Sequence, residues 1–224
     1  MHIADTEGFE AVSMRRVAAE LSMGTMSLYH YVRGREDLIS LMKDALMREY
    51  EVPDECLTDD WRASISAIAH MTLATLRRHP WAMEVVKGTG LGPGALRHVE
   101  QSMKAAKGTG LRAADRMEVL FAIDDYTIGF ALREVMRIAP AAGPLGSARR
   151  ETLLLLERMV AEGPYPELKE AWGSYIAAGG SLEALVDHGH SDERFDRGLN
   201  FIMDGIAANL KPSPSIADEA GVVG

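Results

Sequence analysis

Residues 13–38 read SMRRVAAELSMGTMSLYHYVRGREDL, and this stretch decides how the N-terminal part of the chain folds. Ser13 is placed to cap a helix, because its hydroxyl can accept hydrogen bonds from the free N–H groups of the following turn. Apolar residues then follow at helical spacing, namely Val17, Ala18 and Leu21. Residues 22–24 are expected to end this helix, since Gly24 tolerates the left-handed conformation that a tight turn needs.

A second short helix is predicted after this turn. Thr25 is expected to cap it, while Leu28 and Val32 face inward. Phe9 and Val12 are expected to complete a small core with Val17, Leu21 and Leu28. The acidic pair at 36–37 is expected to begin a third helix, because negative charge is favourable at a helix N-terminus. Two short helices around a tight turn form a helix-turn-helix unit, whose second helix can lie in the major groove of DNA.

The side chains left on the outside of this unit carry groups that bind DNA. Hydroxyls can bond phosphate oxygens or base edges, arginine can read guanine, and an apolar side chain can contact a thymine methyl group. The competing interpretation is that Tyr29 and Tyr31 only cover a small hydrophobic core. We predict DNA contacts from ten residues: Ser13, Arg15, Thr25, Met26, Ser27, Tyr29, His30, Tyr31, Arg33 and Arg35.

The same stretch closely resembles the DNA-binding head of the TetR family of one-component transcriptional regulators. Three segments carry the resemblance: SMRRVA at 13–18, LYHYV at 28–32 and REDL at 35–38. A single helix-turn-helix pattern is a weak signal, but three matching segments at the right mutual spacing make a strong one. The resemblance implies a hydroxyl-capped helix, a short recognition helix and a longer linker helix that begins at a basic residue.

The composition is that of a globular helical protein. The 224 residues are 47% hydrophobic, 25% charged and only 6% aromatic, which favours helix over sheet. No apolar run approaches the roughly 18 residues that cross a membrane, and no basic-then-apolar leader opens the chain. The single Cys56 excludes an internal disulfide and a multi-thiolate zinc site, and it suits the reducing cytoplasm where we expect the protein.

The net charge of −9 argues at first against a nucleic-acid partner. Its distribution answers that objection, because residues 13–35 hold four arginines against one acid, Glu20, and so carry a local charge of +3. The acidity lies in the rest of the chain. A dimer would double the basic footprint on double-stranded DNA.

Beyond the head, the pattern predicts an all-α chain with a linker helix at 36–50 and a boundary near Pro53. We assign 1–50 to the DNA-binding domain with its linker, 51–210 to an effector-binding and dimerisation domain, and 211–224 to a disordered tail. The glycine-rich run at 88–94 is interpreted as a connector, since it has no Gly-Lys-Ser/Thr and no preceding strand. Further helices are predicted at 61–79, 82–86, 95–107, 112–138, 147–162, 166–178 and from Ser191 or Asp192 to Leu210.

Three of the predicted helices have a clear apolar stripe. The stripe of the linker helix is Leu38, Leu41, Met42, Ala45 and Leu46. That of the 61–79 helix is Ile65, Ile68, Ala69, Thr72, Leu73 and Leu76, and that of the last helix is Phe195, Leu199, Ile202, Met203, Ile206 and Leu210.

This body resembles the branch of the TetR family that has a tetracycline-repressor-like C-terminal domain. The segments that carry the resemblance are DWR at 60–62, RHPW at 78–81, LGPGAL at 91–96, IGF at 128–130, and FDRGL at 195–199 with Asp204-Gly205. The resemblance implies a homodimer in which the 112–138 helix and the last helix pair with their symmetry mates. It also implies a small-molecule effector, with no cofactor.

The effector pocket is expected between the helices at 61–79, 95–107 and 112–138. Most candidate residues are equally well explained as plain core, because methionines and aromatics at helical spacing pack by default. Asp124 and Asp125 stand out, since a buried carboxylate needs a partner such as Arg133 or a ligand cation. The candidate lining residues are His70, Trp81, Met83, His98, Met103, Phe121, Asp125, Tyr126 and Arg133.

His188 and His190, with Asp187 and Asp192, could suggest a metal cluster. Polar residues before a helix are more often caps and solvent contacts, so we predict no metal site. An enzyme is also disfavoured, because the sequence offers no nucleophile–base pair and no metal-ligand set.

We predict a ligand-responsive regulator that represses transcription and releases operator DNA when it binds a small molecule. The alternative is a helical small-molecule-binding protein or adaptor whose head no longer binds DNA. The first helix, about two turns long, keeps that alternative open, since the family's first helix is longer. We therefore expect the natural coding sequence to begin upstream of Met1.

Overall fold

The computed structural model describes residues 1–85, 92–137, 144–180 and 191–209, with the side chains of 136–137 and 144–150 excepted. Every regular element within these ranges is helical, which confirms the predicted fold class. None of the helices in the described ranges is long and apolar enough to span a bilayer. The chain divides into two compact units, one made of 1–132 with the segment that begins at Leu199, and one made of 133–198.

The described helices are α1 (His2–Glu7), α2 (Met14–Glu20), α3 (Thr25–Leu28), α4 (Arg35–Arg48), α5 (Trp61–Arg78), α6 (Ala82–Val85), α7 (Pro93–Ala105), α8 (Ala113–Arg137), α9 (Pro144–Glu162), α10 (Pro166–Ala177) and α11 (Asp192–Ala208). Short 3₁₀ turns lie at Phe9–Ala11, Asp54–Cys56 and Ala106–Thr109. The glycine-rich run before residue 92, the histidines at 188 and 190, Leu210 and the tail at 211–224 lie outside the described residues.

The head follows the predicted order of helices but differs at its turn. Ser13 caps α2 as predicted, since its hydroxyl oxygen accepts from the Arg16 N–H at 3.2 Å. The left-handed residue is Ser22, with φ of 53°, whereas Gly24 has φ of −70° and is the residue that precedes α3. The predictions that Gly24 makes the left-handed turn and that Thr25 caps α3 are therefore wrong. Thr25 is the first residue inside that helix.

The small core of the head is formed by fewer residues than predicted. Leu28 and Val32 are buried as predicted, and so are Val12 and Ala18, whereas Val17 is only half-buried. Leu21 is 59% exposed, so its predicted place in this core is wrong. Leu21 is the residue at which α2 ends, and the chain turns away there before the next helical turn could face inward.

Helix α4 is the predicted linker between the head and the body. Leu38, Met42 and Leu46 recur every four residues and are buried, because side chains at i and i+4 lie on the same helix face. Leu41 is exposed, so the predicted apolar stripe is narrower than the sequence suggested.

Helix α5 matches its prediction along its whole length. Asp60 caps it, and one carboxylate oxygen accepts from the N–H groups of Arg62 and Ala63 at 2.9 and 3.2 Å. All six residues predicted for its inner face are buried: Ile65, Ile68, Ala69, Thr72, Leu73 and Leu76. His79-Pro80-Trp81 ends the helix as expected, and the short α6 follows.

The contact between α4 and α7 fixes the linker to the body. The Gly94 N–H donates to an Asp44 carboxylate oxygen at 2.6 Å. The Gln101 side-chain amide makes a reciprocal pair with the backbone of Val52, donating to its carbonyl at 2.7 Å and accepting from its N–H at 3.0 Å. Gly94 has no room for a side chain, because a Cβ there would meet the Asp44 backbone carbonyl and the Arg48 side chain.

The unit at 133–198 contains α9 and α10. Gly163 lies between them, and its N–H donates to the Met159 carbonyl at 2.8 Å. The unit also includes the start of α11, where the Ser191 hydroxyl oxygen accepts from the Arg194 N–H at 3.2 Å, which confirms Ser191 as the cap. Phe195 in this unit, and Leu199 and Met203 in the other, are buried residues of the predicted α11 stripe.

We expect Gly94→Ala to destabilise the protein, because the new methyl group forces α4 and α7 apart and lengthens the Gly94–Asp44 hydrogen bond. Overpacking of this kind costs about 1–3 kcal/mol. The measurement is the free energy of unfolding from urea titration. Gly129→Ala is the matched control: a Cβ at Gly129 in α8 meets no atom within 4 Å, and the change should be neutral or stabilising. Equal effects of the two substitutions would contradict this account of the helix contact.

Candidate nucleic-acid interface and effector cleft

The outer face of α3 and the turn after it is a continuous exposed surface. Met26 is 78% exposed, Tyr29 47% and Tyr31 80%. Leu28 and Val32 are buried beneath them and close the core of the head. The tyrosine rings are therefore not needed to cover that core, and their hydroxyls face solvent where a DNA groove can be met.

The remaining predicted DNA contacts surround this surface. Arg15, Ser27, His30 and Arg33 are exposed, and Thr25 is half-buried at the start of α3. Ser13 is half-buried, because its hydroxyl oxygen already caps α2, although the hydroxyl hydrogen can still be donated to a phosphate. The exposed face thus combines hydroxyls, a methionine and two arginines.

The four arginines of the head are not equivalent. Arg16 is held by two acids, with Glu7 at 2.5 Å and Glu20 at 2.8 Å. The hydrogen bonds that its guanidinium donates to Glu7 and Glu20 raise the pKa of Arg16 above its ordinary value. Its charge is compensated within the protein, so the local charge of +3 counted from residues 13–35 overstates what DNA would meet.

Arg35 is positioned by contacts with Phe9 and Val12. Its guanidinium carbon lies 5.2 Å from the centre of the Phe9 ring, and its Nε donates to the Val12 carbonyl at 3.4 Å. The Phe9 ring is stacked on Trp81, with centroids 6.5 Å apart and planes 8° apart. Sequence analysis placed Phe9 in the core of the helix-turn-helix unit, and that prediction is wrong. Phe9 instead lies at the joint between the head and α6.

A hydrogen-bonded cluster completes this joint. One Asp5 carboxylate oxygen contacts His79 Nδ1 at 2.6 Å and accepts from Trp81 Nε1–H at 2.5 Å. His79 Nε2 lies 3.1 Å from a Glu49 oxygen at the end of α4. We call Asp5, His79, Trp81 and Glu49 the head–body latch. Burial opposes the charge on Asp5, but the hydrogen bonds from His79 and Trp81 hold the pKa of Asp5 below its ordinary value.

A small cleft lies between α5, α7 and α8, the three helices between which the sequence predicts a pocket. Its free volume is only about 10 Å³, room for one water molecule, so a larger effector has to part the three helices to enter it. Its walls are mainly aliphatic, and its polar groups are Ser102 and Asp124. The full lining is Ile65, Ile68, Ser102, Ala106, Val119, Leu120, Ile123 and Asp124.

The residues predicted to line a pocket are spread over several environments, and none of them lines this cleft. Trp81 is in the latch, and Met83 is buried in α6. His70, Phe121, Asp125 and Arg133 are exposed, while Met103 and Tyr126 are half-buried. Helical spacing identified residues on these helices without identifying which face meets the cleft. Their contact with an effector stays a prediction.

His98 is the predicted residue that comes nearest to the cleft chemistry. It is buried on α7, and its Nε2 lies 3.5 Å from an Asp124 oxygen. The expected partner of the acidic pair was Arg133, but the described partner of Asp124 is His98. Asp125 is on the exposed side of α8.

Residues 53–210 match the protein family described as "Tetracyclin repressor-like, C-terminal domain". The chain belongs to the TetR family. It is a DNA-binding, ligand-responsive transcriptional regulator.

Named relatives of this TetR-family chain include the HTH-type transcriptional repressor DrrR1 of Streptomyces coeruleorubidus, which is 36% identical over 210 residues. That match covers 92% of this chain and 73% of DrrR1. An HTH-type transcriptional regulator of Saccharopolyspora erythraea is 31% identical over 211 residues, covering 93% and 81%. The crystal structure of ActR from Streptomyces coelicolor in complex with actinorhodin has a TM-score of 0.70 at 25% identity, covering 94% of each chain.

For this TetR-family chain, the latch is the feature that sequence analysis missed. His79-Pro80-Trp81 was used as a segment of the family resemblance, but no periodicity links it to Asp5, which lies 74 residues earlier than His79. Within the described ranges, no group of three or more His, Cys, Asp or Glu side chains is arranged to hold a metal ion.

We expect Asp5→Ala to lower the free energy of unfolding by about 1–3 kcal/mol at pH 7, because it leaves the His79 and Trp81 donors without their acceptor. The measurement is urea unfolding followed by tryptophan fluorescence. The exposed Glu10→Ala, which removes an acid nearby, is the control. Because the pKa of Asp5 is lowered in the folded protein, its stabilisation is present above its ordinary value of 3.8 and is lost as the pH falls below it. A difference between the wild type and Asp5→Ala that is unchanged at pH 3 would contradict this role.

Proposed function

We propose that this regulator is a homodimeric repressor that binds operator DNA through the outer face of α3 and releases it when a small molecule occupies the cleft. Residues 1–50 act as the DNA-binding domain and residues 51–210 as the effector-binding and dimerisation domain. The regulator is proposed to act in the cytoplasm, where its operator DNA lies. The proposed function includes no enzymatic step. The exposed face of Met26, Tyr29 and Tyr31 above a closed core is the observation that carries the DNA-binding part.

Support for DNA binding comes from the chemistry of that face. Tyr29, Ser27 and Thr25 offer hydroxyls from one short element, and Arg15 and Arg33 flank it with charges. Contacts to phosphate fix the register of a protein on DNA, while contacts to base edges give specificity. Two such heads one turn of B-DNA apart, about 34–36 Å, would read the two half-sites of an operator.

Tyr29→Ala and Arg15→Ala should each weaken binding to the DNA that flanks the gene. Loss of a base or charged contact costs about 1–3 kcal/mol, which corresponds to roughly 5- to 150-fold in affinity. The measurement is gel retardation of the flanking intergenic fragment at fixed salt. These positions are preferable to Arg35, because Arg35 also packs on Phe9 and its loss would disturb the joint.

Arg112→Ala is the matched control for Arg15→Ala, since Arg112 is an exposed arginine of the body that pairs with Asp115. It should leave the retardation unchanged. Failure of the wild-type protein to retard any fragment from its own flanking DNA would contradict the proposed function. Equal losses from Arg112→Ala and Arg15→Ala would contradict the assignment of the interface to the head.

Support for release by an effector comes from the position of the cleft. ActR has been crystallised with the small molecule actinorhodin, and its fold is similar to this one. In this chain the cleft is bordered by α7, and α7 is joined to the linker helix by the Gly94–Asp44 hydrogen bond. An effector that favours one position of α7 would change the position of α4 and of the head that α4 carries.

Support for a dimer comes from apolar residues that remain exposed on the two helices expected to pair. Phe201 on α11 is 69% exposed, and Phe121 and Leu132 on α8 are also exposed. Large aromatic residues at a helix surface are typical of protein interfaces. We assign the dimer contact to α8 and α11 with their symmetry mates.

Phe201→Glu should therefore raise the dimer dissociation constant at least tenfold, because it would bury an unpaired carboxylate in an apolar contact. The measurement is sedimentation equilibrium at micromolar protein concentration. Leu168→Glu, a comparable change at an exposed leucine of α10, is the control and should leave the dimer intact. A dimer of unchanged affinity in Phe201→Glu would remove α11 from the interface.

A further inference from the structure

Four buried polar side chains beside the cleft lack hydrogen-bond partners for one of their polar atoms. These atoms are Tyr50 Oη, Thr72 Oγ1, His98 Nδ1 and Ser102 Oγ, each unpartnered among the described residues. All four residues are more than nine-tenths buried. Buried polar groups are normally satisfied, and an unsatisfied one is costly. Four of them close together indicate groups that are kept to meet a ligand.

Three of these residues lie on α5 and α7, two of the three helices that border the cleft, and the fourth follows α4. Ser102 lines it directly, and His98 lies one helical turn earlier on the same face of α7. Thr72 lies one turn after Ile68, which lines the cleft from α5. Tyr50 follows the end of α4, and its ring meets the His98 ring edge-on, with centroids 5.3 Å apart.

We call Tyr50, Thr72, His98 and Ser102, together with Asp124, the polar corner. Asp124 is the charged residue among those that line the cleft. Asp124 faces the cleft with His98 at 3.5 Å, a distance longer than that of a strong ion-pair hydrogen bond. Burial and the negative charge of Asp124 raise the pKa of Tyr50, so the phenol stays neutral and keeps its O–H donor. Arg116 on α8 lies one turn before Leu120, which lines the cleft; its Nη1 donates to the Met103 carbonyl at 3.2 Å, and its buried Nε has no partner among the described residues. It lies eight residues before Asp124, about 12 Å along the helix.

We propose that the effector of this regulator has an apolar body that packs on the aliphatic walls and a protonated amine that donates to Asp124. Its neighbouring polar groups meet Tyr50, Thr72, His98 and Ser102. A hydroxyl in place of the amine is accepted less well, and a carboxylate is excluded by repulsion from Asp124. This inference rests on the proposed function only in identifying the cleft as the effector site.

The geometry also assigns Tyr50 a role in positioning. Only Glu49 separates Tyr50 from Arg48, the last residue of α4. The Tyr50 ring contacts the His98 ring, so Tyr50 connects the linker helix to the cleft. A ligand group that accepts the Tyr50 O–H is therefore bonded directly to the segment that carries the head. Tyr50→Phe should keep most of the ligand affinity and reduce the effect of the ligand on DNA binding.

The test uses the full chain and three matched two-ring probes that differ in one group: 2-naphthylmethylamine, 2-naphthylmethanol and 2-naphthoate. Isothermal titration calorimetry at pH 7 should give the tightest binding for the amine, and at least tenfold weaker binding for the carboxylate. Asp124→Asn should reduce the ratio of amine to carboxylate affinity about tenfold or more, as expected for the loss of a hydrogen bond to a charged group. Asp125→Asn removes the same charge from the exposed neighbouring position and should leave the ratio unchanged.

Three outcomes would overturn the proposal: equal affinity for the amine and the carboxylate, an unchanged ratio in Asp124→Asn, or no binding of the amine to a protein that retards its operator. Circular dichroism checks that Asp124→Asn is folded, and Ser102→Ala provides a second variant that should weaken all three probes. Operator retardation on the same preparations separates the two proposals. Amine selectivity without DNA retardation would contradict the regulatory function while supporting the ligand class.

Discussion

The hydrogen bond from the Gly94 N–H to Asp44 is the contact on which the arrangement of this unit depends. Asp44 lies on the linker helix α4, which carries the head, and Gly94 lies in the first turn of α7, which borders the cleft. The approach is so close that only glycine fits at position 94. Because Gly94 also brings the backbone of α7 against the Asp44 carbonyl, little room for side-chain rearrangement separates the two helices. In the proposed mechanism, a displacement of α7 is therefore transmitted to α4.

A second constraint holds the head from its other side. His79 lies between the Asp5 and Glu49 carboxylates, with one ring nitrogen near each. A neutral imidazole has one N–H and can donate to only one of them, whereas the imidazolium donates to both. Trp81 adds its own N–H to Asp5 and its ring to Phe9, which in turn carries Arg35. The orientation of an arginine predicted to contact DNA is thus set by a side chain that belongs to the body.

The sequence predicted long elements well and short ones poorly, for a physical reason. Along the 18 residues of α5, the apolar positions sample a helix face several times over, and all six inner residues were identified. Helix α2 has seven residues, so one end residue such as Leu21 can point away without breaking the pattern. The left-handed residue of the turn is Ser22. The path of the backbone between α2 and α3 determines which residue adopts that conformation, and the preference for glycine is only statistical.

The periodicity of apolar residues could not predict which residues contact each other between helices. The helices that enclose the cleft could be named from the sequence, because three apolar faces must meet somewhere in the body. The lining residues could not be named from the sequence. Asp124 lines the cleft and its neighbour Asp125 is exposed, and rotating α8 by one residue would exchange the two positions. Phe9 stacks on Trp81, 72 residues away, and no local signal in the sequence indicates that pair.

The unpartnered polar groups beside the cleft allow the free energy available for regulation to be estimated. Leaving a buried donor or acceptor unsatisfied costs about 1–3 kcal/mol, and typical coupling between an effector site and a second site is also about 1–3 kcal/mol. One or two hydrogen bonds that form in only one position of α7 are therefore sufficient to shift the head between states. The apolar walls contribute affinity in both states and shift nothing by themselves. In the proposed mechanism, the polar corner formed by Tyr50, Thr72, His98, Ser102 and Asp124 is where binding energy becomes a change in DNA affinity.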